Sequence, residues 1–308
     1  MELYLPIAEI SVNAIALVAL GLTAGFMSGL FGVGGGFLMT PALIFIGVPP
    51  AVAVASQGPQ IIAASISSLD VQWRRGSVDV RVGLLLLLGG LIGSAAGVVL
   101  FGFLKSIGQV DIVIALAFVF ILTTMGWLML TEATRTLWRQ RSKTPPKRRK
   151  LHPHYWVARW PLKMRFPRSR LYVSAFLPLS LGFGAGVLSG IMGIGGGFVL
   201  VPAMIYLMGM PTLMVIGTSA FQIVFVAANV TLLQSWHNHT VDLMLALTML
   251  VGGVIGGPIG ARVAGKLPSV HLRALLALVL VGISIKLFVD LVATPDDLYS
   301  LVNTGGGR

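Results

Sequence analysis

The chain contains no cysteine, and only 10% of its 308 residues are charged. The absence of cysteine excludes disulfides, thiolate metal sites and cysteine nucleophiles. A soluble domain has about a quarter charged residues, so this sequence lacks the side chains needed for a soluble surface. Instead, 56% of its residues are hydrophobic, in recurring runs long enough to cross a bilayer as helices. These runs do not alternate polar and apolar residues as membrane β-strands do, so we predict an all-α integral membrane protein.

The central parts of the apolar runs also lack Asp, Glu, Lys and Arg. Ionisable groups inside spans mark proton relays in many pumps, so this absence disfavours such a relay. His237 and His239 are two residues apart in a predicted turn, which is not the spacing of a helical metal site. No Ser/His/Asp arrangement stands out. We therefore expect a protein that is not an enzyme and has no metal or cofactor.

A ten-residue sequence occurs twice in the chain. SGLFGVGGGF at Ser28–Phe37 returns as SGIMGIGGGF at Ser189–Phe198 with seven of ten positions identical. A proline follows each copy at the same distance, at Pro41 and Pro202. The sequence therefore predicts two related halves, each with a helix broken by glycine, which is a common design for a membrane transport site.

We predict five apolar segments in each half, and the second segment of each is short. The approximate ranges are 9–29, 35–48, 50–69, 82–103 and 110–131, then 171–191, 196–209, 212–234, 241–263 and 270–292. The dipeptide Gly58-Pro59 should kink the third segment, whereas the second half has Ala220-Phe221 at that place. The predicted divisions are a first repeat at 1–132, a linker at 133–170 and a second repeat at 171–308.

The predicted linker has a different composition from both repeats. It holds 13 of the 22 Lys and Arg residues and no Asp or Glu. The positive-inside rule places it in the cytoplasm, where it would contact anionic lipid. Nucleic-acid binding would need a recognition module, and none is visible. Five crossings before the linker would put both termini on the periplasmic side and make the two repeats inverted.

The glycine runs carry the first candidate binding residues. Each glycine in an apolar helix costs about 1 kcal/mol relative to Ala, so three in a row indicate an unwound segment. Exposed amides followed by a helix N-terminus attract anions, although a tight helix crossing or a hinge would also need glycine. The candidate residues are Gly34, Gly35 and Gly36 in the first copy and Gly195, Gly196 and Gly197 in the second.

Polar side chains follow each glycine run in the third segment of each half. Polar groups inside a span usually face the bundle interior, so we predict that these line a substrate site, with interhelical hydrogen bonding as the alternative. The residues are Ser56, Gln57 and Gln60 in the first half and Thr218, Ser219 and Gln222 in the second.

Several of these stretches resemble a known family. GLFGVGGGFLMTPAL, the repeat GIMGIGGGFVLVPAMIYLMGMP, the following GTSAFQI and the turn Arg74–Asp79 are similar to the sulfite exporter TauE/SafE family of bacterial inner-membrane transporters. The resemblance covers most of residues 10–292. It implies transport of small sulfur-containing anions such as sulfite, thiosulfate or sulfoacetate.

Together these features lead us to expect a bacterial inner-membrane exporter that binds a small anion and works by alternating access. A passive anion channel would use the same donors but would need a continuous pore. A membrane scaffold or assembly factor that recruits a partner through the basic linker is the second alternative. The sequence gives no oligomeric state.

Overall fold

The computed structural model describes residues 2–141, 163–169, 171–238 and 240–292. Over these residues the protein is predominantly helical, which confirms the predicted all-α membrane class. Six of the helices in the described ranges are long and apolar enough to cross a membrane, and three shorter apolar helices accompany them. Most of the predicted linker, residues 142–162, and His239 lie outside the described residues, so the three predicted chain divisions remain predictions.

The first half begins with a small β-hairpin and continues as helices of very different lengths. Its elements are β1 (Glu2–Leu5), β2 (Ile10–Asn13), α1 (Ala14–Phe31), α2 (Gly36–Phe45), α3 (Pro50–Ser56), α4 (Gly58–Arg74), α5 (Val80–Ser106) and α6 (Val110–Arg141).

The second half repeats this order. Its elements are β3 (Lys163–Phe166), β4 (Leu171–Ser174), α7 (Phe176–Met192), α8 (Gly197–Tyr206), α9 (Thr212–Leu233), a π-helical turn (Gln234–Asn238), α10 (Leu243–Ala264) and α11 (Ser269–Val292).

The two β-hairpins were not expected from the sequence. The first predicted segment starts at residue 9 and the sixth at residue 171, yet these positions lie in hairpins, and α1 and α7 begin several residues later. Strands of four residues have too few side chains to show a two-residue period. The apolar composition also continues from strand to helix, so hydropathy marks no boundary. Residues 163–169 of the predicted linker fold as part of the second hairpin.

The predicted asymmetry at Gly58-Pro59 is confirmed. The third segment of the first half is split into α3 and α4, with a break at Gln57. Proline has no backbone N–H and is best tolerated in the first turn of a helix, where Pro59 lies in α4. The second half has no proline there, and α9 runs unbroken through the equivalent position.

Glycine faces bring the long helices into backbone contact. A β-carbon placed on Gly25 of α1 would lie 2.7 Å from the carbonyl oxygen of Gly253 in α10. One on Gly186 of α7 would lie 2.4 Å from the carbonyl oxygen of Gly90 in α5. Such spacing is possible only between small residues, as at many membrane helix crossings. The helix pairs α1–α10 and α5–α7 therefore join one half of the chain to the other.

The contacts also give the relative directions of the helices. Along α1, Gly21 faces Met249 and Gly29 faces Gly257, so α1 and α10 run parallel. The helices α4 and α10 are parallel as well, and α5 is parallel to both α7 and α9. In contrast, Gly58 at the start of α4 faces Thr231 near the end of α9, which makes α4 and α9 antiparallel. The described contacts thus place α1, α4 and α10 in one direction and α5, α7 and α9 in the other.

A matched pair of glycines in α7 tests this packing. The substitution Gly186→Ala inserts a methyl group against the α5 backbone and should lower the free energy of unfolding by about 1–3 kcal/mol. Gly184 is exposed and has no atom within 4 Å of the position a β-carbon would take. Gly184→Ala should therefore be neutral or stabilising by up to about 1 kcal/mol. Thermal unfolding in detergent measures both, and equal effects would contradict the packing.

Candidate functional site

The glycine runs break the helices where the sequence predicts. The helix α1 ends at Phe31, its C-cap Gly32 has φ 68°, and Gly34 and Gly35 follow with φ 93° and 76°. The second copy repeats this pattern at Gly193, Gly195 and Gly196, with φ of 69°, 73° and 71°. Only glycine adopts this left-handed region without a steric penalty, so three such residues per copy explain the glycine content.

The two unwound segments lie directly against each other. A β-carbon on Gly36 would lie 2.8 Å from the Cα of Ile194, and one on Gly197 would lie 2.4 Å from the carbonyl oxygen of Val33. Gly34 and Gly195 both face the side chains of Ile61 and Ile223. Both segments are fully buried in this conformation. The six predicted glycines therefore lie together in one buried region.

The two unwound segments, residues 32–36 and 193–197, contact each other at what we call the glycine crossing. Two helix N-termini meet there. The helix α2 begins at Gly36 and α8 begins at Gly197, and the residue before each start is a glycine that offers no side-chain cap. The first amides of a helix carry a partial positive charge. Because each start contacts the other segment, the positive ends of two helices converge on one point.

Three nearby glutamines are fully buried: Gln57 lies against Gly36, Gln60 against Gly253 of α10, and Gln222 against Gly90 of α5. The Nε2 atom of Gln57 donates to Thr40 Oγ1 at 2.5 Å and to the carbonyl oxygen of Met192 at 3.5 Å. The Nε2 atom of Gln60 donates to the carbonyl oxygen of Gly21 at 3.4 Å. Within the described part of the chain, neither Oε1 atom has a partner, and neither polar atom of Gln222 has one.

Unpartnered buried groups are rare because each costs about 1–3 kcal/mol. Of the four such atoms here, Gln57 Oε1 lies beside the start of α2 at Gly36. The amide of Gln222 can both donate and accept, and the amide oxygens of Gln57 and Gln60 can accept.

The three predicted hydroxyl residues lie in the same region but already have partners. Ser56 Oγ accepts a hydrogen bond from the backbone amide of Asp242 at 2.7 Å. Thr218 Oγ1 accepts one from the backbone amide of Asp79 at 3.0 Å. Ser219 Oγ donates to the carbonyl oxygen of Gly32 at 2.6 Å. In this conformation each therefore bonds one half of the chain to the other.

Two buried aspartates complete this arrangement, and the sequence analysis did not identify their role. Asp79 and Asp242 are the N-cap residues of α5 and α10. The Oδ2 atom of Asp79 accepts hydrogen bonds from the amide and hydroxyl of Ser169, and that of Asp242 accepts one from the amide of Ile7. Each hairpin turn is thus anchored to an aspartate of the other half. The two aspartates stand at matching positions immediately before α5 and α10, and this match in the sequence could have identified them.

The chain is similar to known membrane proteins along most of its length. The model of the sulfite exporter TauE/SafE family matches residues 17–287. A probable membrane transporter protein from Xylella fastidiosa strain 9a5c is 29% identical over 284 residues, which cover 89% of this chain and 94% of that protein.

Two relatives from Bacillus subtilis strain 168 are similar over comparable lengths. The probable membrane transporter protein YunE is 27% identical over 90% of this chain and 97% of its own length. The probable membrane transporter protein YjnA is 26% identical over 89% of this chain and 99% of its own length. No solved structure matches the chain.

Variants of Gln222 and Gln234 test whether the Gln222 amide serves a ligand site or ordinary packing. Gln222→Met removes a buried amide that has no partner, so it should leave the melting temperature unchanged or raise it. Gln234 donates to the carbonyl oxygen of Gly190 and accepts from Asn238. Gln234→Met should therefore lower the free energy of unfolding by about 1–3 kcal/mol. Thermal unfolding of the two variants measures both effects. Strong destabilisation by Gln222→Met would mean that its amide has a structural role.

Proposed function

The chain belongs to the sulfite exporter TauE/SafE family, and we propose that it is a secondary transporter of small sulfur-containing anions such as sulfite, thiosulfate or sulfoacetate. The family match and the names of the relatives indicate a membrane transporter rather than an enzyme. The substrate class, export as the direction and alternating access are our proposal.

The convergence of two helix N-termini on one buried point carries the proposal. A helix N-terminus stabilises an anion by about 0.3–1 kcal/mol at a surface and by up to about 2 kcal/mol where water is partly excluded. Gln222 Nε2 adds a donor that has no partner among the described side chains. Because the proposed site offers neutral donors and dipoles and no buried cation among the described residues, we expect it to bind an anion with modest affinity.

The proposed binding residues are those predicted from the sequence. Gly34, Gly35, Gly36, Gly195, Gly196 and Gly197 would present backbone amides, and Gln57, Gln60 and Gln222 would contact the substrate through their side chains. Ser56, Thr218 and Ser219 would contact it only after exchanging their present partners.

Alternating access follows if the two repeats are inverted. The parallel pairs α1–α10 and α5–α7 and the antiparallel pair α4–α9 support inversion, because α1 and its counterpart α7 then point in opposite directions. In an inverted pair each repeat can adopt the conformation of the other, which moves the opening from one side to the other.

We place this multi-pass protein in the bacterial inner membrane with residues 133–170 in the cytoplasm and both termini outside. The positive-inside rule supports this orientation, since Arg74, Arg75 and Arg81 would share the linker's side. The linker's 13 basic residues would then lie near anionic lipid headgroups.

Transport in liposomes tests the proposal. Uptake of radiolabelled sulfoacetate should saturate and show counterflow, and a neutral sulfone of the same size should not compete. Gln222→Met should lower kcat/KM at least tenfold, about 1.4 kcal/mol, because it removes the one fully unpartnered amide of the site. Gln234→Met, assayed below its melting temperature, should stay within threefold of the wild type.

The same assay separates the alternatives. Conductance that does not saturate would contradict a carrier and support a channel. Deleting part of residues 140–165 should leave transport intact, whereas a scaffold would lose its function with that segment. Equal binding of the neutral sulfone would contradict an anion site.

A further inference from the structure

Polar side chains lie in a row along the buried face of α4. The row begins at Gln60 and extends toward the C-terminal end of the helix. We propose that Ser65, Ser68 and Gln72 line the path by which substrate travels between the glycine crossing and the C-terminal end of α4. This inference rests on the proposed function, since it assigns the route to the same site.

The spacing puts these residues on one side of the helix. Gln60, Ser68 and Gln72 lie on one row of positions four apart, whose remaining member is Ala64, and Ser65 adjoins that row. From Gln60 to Gln72 the row covers about 18 Å, more than half of the hydrocarbon core. Ser65, Ser68 and Gln72 are 1%, 2% and 0% exposed. The row therefore runs through the protein interior from Gln60 toward the C-terminal end of α4.

Most polar atoms in this row have no partner. Ser68 Oγ donates to the carbonyl oxygen of Ser65 at 3.0 Å. Ser65 Oγ, both polar atoms of the Gln72 side chain and Gln60 Oε1 bond to no group in the described ranges. A purely structural role would satisfy such groups, because leaving each unpaired is costly. A route that is hydrated or occupied during transport would explain their presence.

The equivalent face of α9 shows that the fold does not require these polar residues. Ala227 and Val230 take the places of Ser65 and Ser68 in the repeat. Val230 packs with Val98 and Val226 in an apolar cluster. Gln234 takes the place of Gln72, and both ends of its amide are hydrogen-bonded, to Gly190 and Asn238. At the positions of Ser65 and Ser68 the α9 side is thus filled by apolar packing, and its glutamine at the position of Gln72 is hydrogen-bonded.

A positive charge lies at the end of the polar row. Arg75 follows the last residue of α4 and is exposed, with Nη1 donating to the carbonyl oxygen of Ala261 at 2.8 Å. Its neighbour Arg74 is paired with Asp70 at 3.1 Å. A cation beside the mouth of a narrow path raises the local concentration of anions. Arg75 therefore fits the entrance or exit of an anion route.

Because the chain has no cysteine, single cysteines can be introduced without background reaction. Ser65→Cys, Ser68→Cys and Gln72→Cys should react with a membrane-impermeant sulfonated methanethiosulfonate during turnover, and saturating sulfoacetate should slow the reaction at least threefold. The counterparts Ala227→Cys and Val230→Cys, and Ile66→Cys, whose side chain is 52% exposed on the outer face of α4, should react at least tenfold more slowly.

A second variant tests the path without a reagent. Ser65→Ala combined with Ser68→Val copies the apolar α9 sequence and should lower the transport rate at least tenfold, while sulfoacetate binding to purified protein stays within threefold. Unreactive cysteines at positions 65, 68 and 72 in a protein that still transports would overturn the path and leave the proposed function standing. Full transport by the double variant would also overturn the path and leave the proposed function standing. Reactive cysteines in a protein that binds no sulfonate would support the path and contradict the proposed substrate.

Discussion

The structure depends on satisfying two stretches of unwound backbone deep inside an apolar protein. Non-helical backbone at membrane depth is tolerated only where protein groups or a watery cavity satisfy it. Here the carbonyl oxygen of Gly32 accepts from Ser219 and that of Met192 accepts from Gln57, so each glycine segment is held by the other half of the chain. The glycine faces of α1, α5, α7 and α10 then let the supporting helices approach closely enough to close the site.

The hairpins and the buried aspartates extend this mutual support to the ends of the bundle. Asp79 receives the second hairpin through Ser169 and offers its own amide to Thr218. Asp242 accepts a hydrogen bond from the amide of Ile7 in the first hairpin and donates its own amide to Ser56. Each chain of bonds leads from a hairpin turn, through a helix N-cap, to a residue beside the glycine crossing. Movement at a hairpin would therefore be coupled to the site by direct contacts.

Much of this arrangement could be predicted from the sequence. Three consecutive glycines in an apolar run indicate an unwound segment, and the duplication at Gly34 and Gly195 predicts one such segment in each half. Gly58-Pro59 likewise predicts the break between α3 and α4. The hairpins could not be predicted, because four-residue strands leave little periodic signal. Gln222 has no hydrogen-bond partner in the described structure, whereas the hydroxyl of Ser219 has two acceptors. The sequence could not show this difference, because the partners are backbone groups contributed by other parts of the fold.

The most direct test is a structure determined with saturating sulfoacetate. We expect sulfonate density between the first turns of α2 and α8, within hydrogen-bond distance of Gln222, and the two glycine segments moved apart to admit it. Density bound elsewhere, with Gly36 and Ile194 still in contact, would contradict the central claim that the crossed glycine segments form the anion site.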